Sequence, residues 1–262
     1  MHLERKRVLI TGASRGIGQH LARAFADAGA SVALVARSAE PLRALADELG
    51  GSAHPADLLD PSQVANLVHR VEDESGPVDV LVNNAGMGDA GAFADSTAES
   101  LEATVRLNLA VPLELCRQAV PRMVRRGGGH LVNVGSLAAL AYVPGMVTYA
   151  GTKAGIVHAS EAIRYELGGL PVGVTTVLVG GVQTDLLRDG ETYPPFHKGF
   201  QRLRHVQLSP DTDPDVLARA VVAAVEKRRK VVWLPKRAVV LVAAGWMPRR
   251  VVERVLTGVP RR

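Results

Sequence analysis

The hydrophobic positions of this chain follow two patterns that alternate along its length. Short runs rich in valine, leucine and isoleucine are separated by longer stretches in which apolar residues recur with helical spacing. The short runs are apolar at almost every position, which is typical of strands buried on both faces. They predict six strands, at Val8–Thr11, Ser31–Val35, Val78–Val82, His130–Val134, Gly173–Val179 and Lys230–Leu234. The longer stretches predict helices over residues 17–28, 39–49, 61–75, 97–126, 147–168 and 212–228.

The alternation of strands and helices predicts the fold class. Right-handed crossovers between successive strands lead to an α/β protein with a doubly wound parallel β-sheet, a Rossmann fold with helices on both faces. The 262 residues, 47% of them hydrophobic, suit a single domain. We assign this domain to residues 1–235 and treat residues 236–262 as a basic amphipathic C-terminal tail. Ligands of such sheets bind outside the carboxyl ends of the strands.

A glycine-rich segment directly follows the first predicted strand, and a predicted helix begins within it. Glycines there allow a sharp turn and a close approach to a pyrophosphate, whose charge the helix N-terminus stabilises. A plain strand-to-helix turn would not need three glycines in seven residues. The segment therefore predicts a dinucleotide site with contacts from Gly12, Ser14, Arg15, Gly16, Ile17 and Gly18.

The end of the second predicted strand carries a cation. Proteins of this fold that use NAD place an acidic residue there, whereas arginine accommodates the 2′-phosphate of NADP. This chain has Arg37, and Arg15 supplies a second guanidinium group. Two such groups can hold a phosphate by forked, charge-assisted hydrogen bonds. The pair predicts NADP(H) as the cofactor, and the alternative for Arg37 is a solvated strand end.

Tyr149 and Lys153 stand four residues apart in a predicted helix. Residues with this spacing share one helix face. A free tyrosine has a pKa of about 10, and a nearby cation favours its ionised form. The pair predicts a phenol with a lowered pKa that acts as an acid or base. Coincidental spacing is the alternative, and other motifs decide between them.

Together these residues resemble the short-chain dehydrogenase/reductase family. The extended glycine motif is followed in order by Asn83-Asn84-Ala85-Gly86, Asn108, Ser136, Tyr149 and Lys153. Ser136 precedes Tyr149 by thirteen residues, as in the family. The match covers roughly residues 5–230, and five motifs occur on the predicted elements where the family has them.

The resemblance implies a role for each matching residue. Tyr149 would be the general acid/base, Lys153 would lower its pKa and hold the nicotinamide ribose, Ser136 would bind the substrate oxygen, and Asn108 would support a water-linked proton relay. A tolerated polar residue near Pro112 is the alternative for Asn108. The further implied cofactor contacts are Asp57, Leu58, Asn83, Ala85, Gly86, Val182 and Thr184, besides Tyr149 and Lys153. The family also implies a homodimer or homotetramer through the helices around 97–126 and 147–168.

Two features depart from the family pattern. Gly180-Gly181 replaces the usual Pro-Gly after the sixth predicted strand, which leaves the backbone before Val182 and Thr184 less constrained. The usual glycine-rich closing strand is also missing. We expect Lys230–Leu234 to be the last strand instead.

The predicted substrate region is apolar. The segment Asp185–Pro210 lies where the family has a variable lid, and we expect a long functional loop there. It contains Tyr193, Phe196 and Phe200, while residues 137–143 supply an apolar wall beside Ser136. These features predict a hydrophobic alcohol, ketone or aldehyde as the substrate. The eight histidines show no metal-ligand spacing, so no metal site is expected.

Charge is concentrated at the C-terminal end. Residues 226–262 contain eleven Lys/Arg and two Asp/Glu, although the formal net charge of the chain is only +5. This distribution does not suggest a nucleic-acid-binding fold. The apolar run Ala238–Met247 is about half as long as a membrane-spanning helix needs to be. The tail therefore has three alternatives: peripheral contact with an anionic membrane, a cover over the substrate cleft, or a subunit interface.

The chain starts without a signal-peptide pattern and has one cysteine, Cys116, so we expect a cytoplasmic protein, with peripheral contact at the inner membrane face left open. Two functions follow. The first is an NADP(H)-dependent short-chain oxidoreductase. The second is a catalytically silent NADP(H)-binding protein that uses its tail for membrane or partner association, and the intact Ser136, Tyr149 and Lys153 set argues against it.

Overall fold

A computed structural model of the chain describes residues 1–88, 90–182, 192–205, 211–238 and 254. Within this part, seven parallel strands form one sheet in the order β3-β2-β1-β4-β5-β6-β7. The predicted doubly wound parallel sheet is confirmed. The strands are β1 (Arg7–Thr11), β2 (Ser31–Ala36), β3 (Ser52–Pro55), β4 (Val80–Asn83), β5 (Gly129–Val134), β6 (Val172–Val179) and β7 (Val231–Leu234).

Nine α-helices lie in the described part of the chain. They are α1 (Gly16–Asp27), α2 (Ala39–Leu49), α3 (Pro61–Val64), α4 (Leu67–Ser75), α5 (Ala98–Val105), α6 (Val111–Arg125), α7 (Val147–Glu166), α8 (Pro194–His205) and α9 (Pro214–Glu226). Short 3₁₀ turns cover Phe93–Asp95, Leu137–Ala139 and Lys236–Ala238. No helix among the described residues is long and apolar enough to span a membrane.

The sheet is covered on both faces. Along β1, Val8 and Ile10 join a buried cluster with residues of α1, α2 and α9, while Leu9 joins a second cluster with residues of α4 and α6. Successive side chains of a strand point to opposite faces. Both faces are apolar here, which explains why the strand sequences do not alternate.

All six predicted strands are present, with bounds shifted by at most two residues, but the edge strand β3 was missed. Its sequence, Ser52-Ala53-His54-Pro55, lacks an apolar run, and within the described part of the chain it pairs only with β2. Polar contacts tie it to the end of α4. His54 Nε2 hydrogen bonds to the hydroxyls of Ser52 (2.9 Å) and Ser75 (3.1 Å), and its Nδ1 lies 3.0 Å from the Glu74 carboxylate.

Two predicted helices are interrupted. Residues 61–75 form α3 and α4, separated at Asn66, which has a φ of 59°. Residues 97–126 form α5 and α6, joined by a π-helical turn over Arg106–Ala110. Pro112 has no N–H for the carbonyl of Asn108 four residues earlier, so regular α-helical bonding cannot continue at this point.

The prediction of a long functional loop over Asp185–Pro210 is wrong in its central part, where α8 forms. Phe196, Phe200 and Leu203 are buried and recur at i, i+4 and i+7, which is the spacing of an amphipathic helix. Two prolines occupy the first turn, where their missing N–H groups are not needed. Residues 185–191 and 206–210 lie outside the described residues. The same holds for the tail beyond Ala238, except Arg254, so its three alternatives stay predictions.

Candidate active site

The glycine-rich loop after β1 touches the loop after β4. Gly12 has a φ of 67°, and a Cβ built on it would lie 2.8 Å from Ala85 Cα. A Cβ on Gly18 would lie 2.1 Å from the Gly12 carbonyl oxygen. Side chains at these positions would push the two loops apart. The glycines therefore create a close backbone cradle at the carboxyl edge of the sheet, ahead of the N-terminus of α1.

Hydrogen bonds of the Thr11 and Asn84 side chains stabilise this cradle. The buried Thr11 hydroxyl accepts from the N–H groups of Asn84 (3.0 Å) and Ala85 (3.1 Å) and donates to the Val82 carbonyl (3.3 Å). Asn84 Nδ2 donates to the carbonyls of Thr11 (3.0 Å) and Gly12 (3.3 Å). Sequence reasoning assigned no role to either residue. The Asn-Asn-Ala-Gly motif was a signal for Asn84, whereas only the fold reveals the role of Thr11.

The other predicted cofactor residues follow neighbouring strands. The loop and first turn of α1 hold Ser14, Arg15, Gly16 and Ile17, and Arg37 follows β2. Both arginines are exposed. Asp57 and the buried Leu58 follow β3. The Asp57 carboxylate accepts from the N–H of Leu59 (2.9 Å), and the Asp57 N–H donates to Gln63 Oε1 (2.9 Å). All of these groups lie at the carboxyl edge of the sheet, as predicted.

Asn83 directs its side chain into the interior. Its Nδ2 donates to Asn133 Oδ1 (2.8 Å), to the Pro112 carbonyl (3.3 Å) and to Cys116 Sγ (3.3 Å). A cofactor contact by Asn83 would therefore have to come from its backbone. Val182, which follows β6, is buried. Thr184 lies outside the described residues.

The hydroxyl groups of Ser136 and Tyr149, both predicted to be catalytic, lie close together. Ser136 follows β5, and its Oγ accepts from the N–H of Ala138 (3.1 Å) at the start of a 3₁₀ turn. Tyr149, in the first turn of α7, hydrogen bonds to the Ser136 side chain. Lys153 Nζ lies 5.6 Å from the centroid of the Tyr149 ring. The structure thus brings Ser136, Tyr149 and Lys153 together in the arrangement that their spacing predicts.

Lys153 is buried beside the loop that follows β4. Its Nζ donates to the Val134 carbonyl oxygen at 3.0 Å. A Cβ built on Gly86 would lie 3.4 Å from this Nζ and 3.2 Å from Asn108 Oδ1. Only a glycine leaves the space between the two polar groups open. Gly86 thus links the predicted cofactor loop to the predicted catalytic residues.

Asn108, in the π-helical turn, joins the same loop to α7. Its Oδ1 accepts from the N–H of Met87 (2.9 Å), and its Nδ2 donates to the Met87 carbonyl (2.7 Å). The same Nδ2 also donates to Thr152 Oγ1 (3.1 Å), next to Lys153. The side chain is 1% exposed, so these bonds hold it in one orientation. Sequence reasoning named Asn108 but not its partners Met87 and Thr152.

Burial changes the acidity of both ionisable groups. It lowers the pKa of Lys153 to about 8, because the ammonium form loses its hydration. Burial also raises the pKa of Tyr149, and the hydrogen bond with Ser136 only partly opposes this. The predicted lowering of the Tyr149 pKa is therefore wrong. The spacing of Tyr149 and Lys153 predicted their proximity but not the desolvation of the phenol.

Helix α8 lies against the loop that leads to α7. Phe196 and Phe200 stack with ring centroids 5.6 Å apart, and Tyr193, Val143 and Met146 pack against them. On the other side of the predicted apolar wall, Leu137 packs with Leu178, Leu140, Val157, Val231 and Trp233. Two buried apolar clusters thus adjoin the segment between Ser136 and Tyr149.

Known proteins share this fold and these motifs. A model of the short chain dehydrogenase family matches residues 6–192. Ketoacyl reductase HetN of Nostoc sp. is 36% identical over 229 residues, covering 85% of this chain and 76% of that protein. The probable oxidoreductase EphD of Mycobacterium tuberculosis is 34% identical over 237 residues, covering 86% of this chain but only 40% of EphD. A solved short-chain dehydrogenase from Sphingobium yanoikuyae in complex with NADPH has a TM-score of 0.78 and 30% identity, with 95% of each chain covered.

The doubly wound sheet, the glycine cradle and the matched relatives define an oxidoreductase. The chain belongs to the short-chain dehydrogenase family, so the resemblance found in the sequence is confirmed.

Proposed function

We propose that this protein is an NADP(H)-dependent oxidoreductase that interconverts a hydrophobic carbonyl compound and its alcohol, with Tyr149 as the general acid/base. One observation carries the proposal. Tyr149 is hydrogen bonded to Ser136 and has the Lys153 ammonium 5.6 Å from its ring, beside the glycine cradle. A hydroxyl pair next to a buried cation is suited to proton transfer at a substrate oxygen.

The cradle fits a dinucleotide. Close backbone contact at Gly12 and Gly18 leaves no side chain between the glycine loop and a pyrophosphate, and the N-terminus of α1 favours negative charge there. Residues that would hold the cofactor are those at the carboxyl edge: Gly12, Ser14, Arg15, Gly16, Ile17, Gly18, Arg37, Asp57, Leu58, Ala85, Gly86 and Val182. Thr184 lies outside the described residues and stays a predicted contact. When bound, the nicotinamide would supply or accept the hydride.

Tyr149 and Ser136 act on the substrate oxygen in this proposal. During reduction the carbonyl oxygen gains negative charge, and the Ser136 and Tyr149 hydroxyls can both donate to it. Tyr149 then transfers its proton, and the Lys153 ammonium stabilises the phenolate that remains. With a pKa of about 8, Lys153 is largely protonated at pH 7. The lysine thus supports proton transfer although burial raises the pKa of Tyr149.

Two arginines support NADP(H) over NAD(H). Arg15 and Arg37 are both exposed at the carboxyl ends of β1 and β2, and Arg37 stands where an acidic residue would favour NAD. The related Sphingobium dehydrogenase was solved with NADPH. The apolar cluster around Phe196 and Phe200 supports a hydrophobic substrate. HetN, whose name specifies a ketoacyl reductase, supports carbonyl chemistry.

The decisive experiment is an NADPH-oxidation screen against carbonyls of graded chain length and ring size, run with wild type and Tyr149→Phe. We expect turnover by wild type, and loss of hydride transfer in Tyr149→Phe with NADPH binding retained. An inactive wild type across the panel would contradict the proposed activity. A Tyr149→Phe variant as active as wild type would instead contradict the role of Tyr149.

A further inference from the structure

A chain of buried polar side chains runs beneath the candidate active site. Asn83 Nδ2 donates to Asn133 Oδ1 (2.8 Å), Asn133 Nδ2 donates to Ser160 Oγ (2.9 Å), and the Ser160 hydroxyl donates to the Ile156 carbonyl (2.6 Å). The three polar residues, hereafter the Asn133 network, are 0–4% exposed. Apolar residues at these positions would avoid the cost of burying polar groups, so the network needs an explanation beyond core packing.

The network fixes α7 on β5 at a second point. Lys153 Nζ already bonds to the Val134 carbonyl, and Asn133 is the neighbouring residue on the same strand. Lys153 and Ser160 are seven residues apart, which is two helical turns, so both face the sheet. Arg164, near the C-terminal end of α7, bonds to Val174 and Thr176 of β6, whereas Lys153 and Ser160 bond the helix to β5. Two anchors on consecutive strand residues fix the position of the helix along β5.

The network also reaches the glycine cradle. Asn83 bonds to Asn133, and the next residue, Asn84, bonds to the carbonyls of Thr11 and Gly12. The loop after β4 is therefore bonded at Asn84 to the glycine cradle. At Asn83 it is bonded to β5, the strand to which α7 is hydrogen bonded. Asn108 makes a separate link between this loop and Thr152.

We propose that Asn133 is a positioning residue that, through Ser160 and Asn83, holds Tyr149 and Lys153 of α7 in register with the cofactor loop. It touches none of the groups proposed to react. Its effect is on the alignment of the proton-transfer residues with the loop that contains Gly86. This inference rests on the proposed oxidoreductase function, because the alignment concerns that reaction.

The test uses Ser160→Ala, Asn133→Ala and the double variant. Misplacement of about 1 Å can lower a rate by about 100-fold, so we expect kcat to fall by roughly 10- to 100-fold in each variant. The KM for NADPH should change far less, because the cradle contacts remain. The kcat of the double variant should be only slightly lower than that of the less active single variant, because both substitutions break the same link.

Thr175→Val is the matched control. Thr175 is as buried as Ser160 and pairs with Val132 of β5, but its hydroxyl bonds to His130 and to the Arg229 carbonyl, outside the Asn133 network. It should lower the melting temperature as Ser160→Ala does while leaving kcat close to wild type. Equal losses of kcat in Thr175→Val and Ser160→Ala would overturn the proposal, because they would indicate general destabilisation.

Hydrogen exchange of the substrate-free protein tests the positioning independently of turnover. We expect Ser160→Ala to increase exchange in residues 147–156, and Thr175→Val to leave it unchanged. Unchanged exchange in Ser160→Ala would overturn the proposal. An inactive wild type in the carbonyl screen would contradict the proposed function instead, so the two failures are distinguishable.

Discussion

The ring of Tyr193 lies directly on Gly145, so that a Cβ built on this glycine would be 2.8 Å from Tyr193 Cδ1. Gly145 has a φ of 86°, and its carbonyl accepts from the N–H of Gly91 at 3.1 Å. The contact joins the start of α8 to the loop that enters α7 four residues before Tyr149. It therefore connects the segment predicted as the variable lid to the helix that carries Tyr149, the proposed general acid/base.

Gly145→Ala should weaken this contact. The left-handed backbone costs a non-glycine residue about 1–2 kcal/mol, and the added methyl group also displaces Tyr193. We expect a lower melting temperature and a several-fold higher KM for hydrophobic carbonyls. Gly127→Ala is the control, because Gly127 has a φ of 80° but nothing within 4 Å of a built Cβ. If both variants show the same KM, the contact does not shape the substrate site.

Arg37→Asp should change the cofactor preference. The substitution removes a guanidinium that would hold the 2′-phosphate and adds a carboxylate that repels it. A charged hydrogen bond contributes about 1.5–3 kcal/mol, so the NADP/NAD ratio of kcat/KM should fall by roughly 10- to 100-fold. Arg43→Asp makes the same charge change at an exposed site on α2. A ratio that falls equally in both variants would indicate only a general electrostatic effect.

Lys153 should determine the alkaline limit of activity. Burial lowers its pKa to about 8, so the ammonium is lost as the pH rises through that value. We expect kcat/KM for carbonyl reduction to decrease above about pH 8, since this profile reports ionisations of the free enzyme. Lys153→Arg keeps its charge at any accessible pH. Its rate should be lower but should not fall near pH 8. The same alkaline limit in Lys153→Arg would assign it to another group.

His130 should make the fold sensitive to acid. Burial lowers its pKa from 6.5 to about 4, and its Nδ1 has no hydrogen-bond partner among the residues that the structure describes. The unfolded chain therefore binds a proton that the folded protein excludes, so stability falls as the pH drops from 6.5 towards 4. The loss amounts to about 3 kcal/mol over that range. Urea unfolding should show that the free energy of unfolding of His130→Leu decreases less between pH 6.5 and pH 4 than that of wild type. An equally steep loss would rule out His130 as its source.

The spacing of motifs predicted which side chains lie close together at the centre of the candidate site. Ser136, Tyr149 and Lys153 meet because the segments that carry them are regular elements whose order defines the fold. The partners of these residues could not be predicted. Contacts such as Asn108 with Met87, or Asn133 with Ser160, join residues 21 and 27 positions apart and depend on how the elements pack.

Predictions failed where apolar periodicity is weak or where burial decides. Strand β3 is held by polar contacts of His54 with the end of α4, so its sequence lacks the pattern of a buried strand. The phenol of Tyr149 has a raised pKa because it is buried away from water. The four-residue spacing to Lys153 does not show whether the phenol is hydrated. Helix α8 does show an apolar repeat, but it is short and lies within a segment that was predicted as a long loop from its position in the family.

The short edge strand β3 also limits how molecules can associate. An exposed strand edge offers unpaired N–H and C=O groups to other chains, and short strands with proline reduce this hazard. Among the described residues β3 forms one border of the sheet, spans four residues and ends at Pro55, which has no N–H to donate. Lateral extension of the sheet into fibrils is therefore disfavoured at this border.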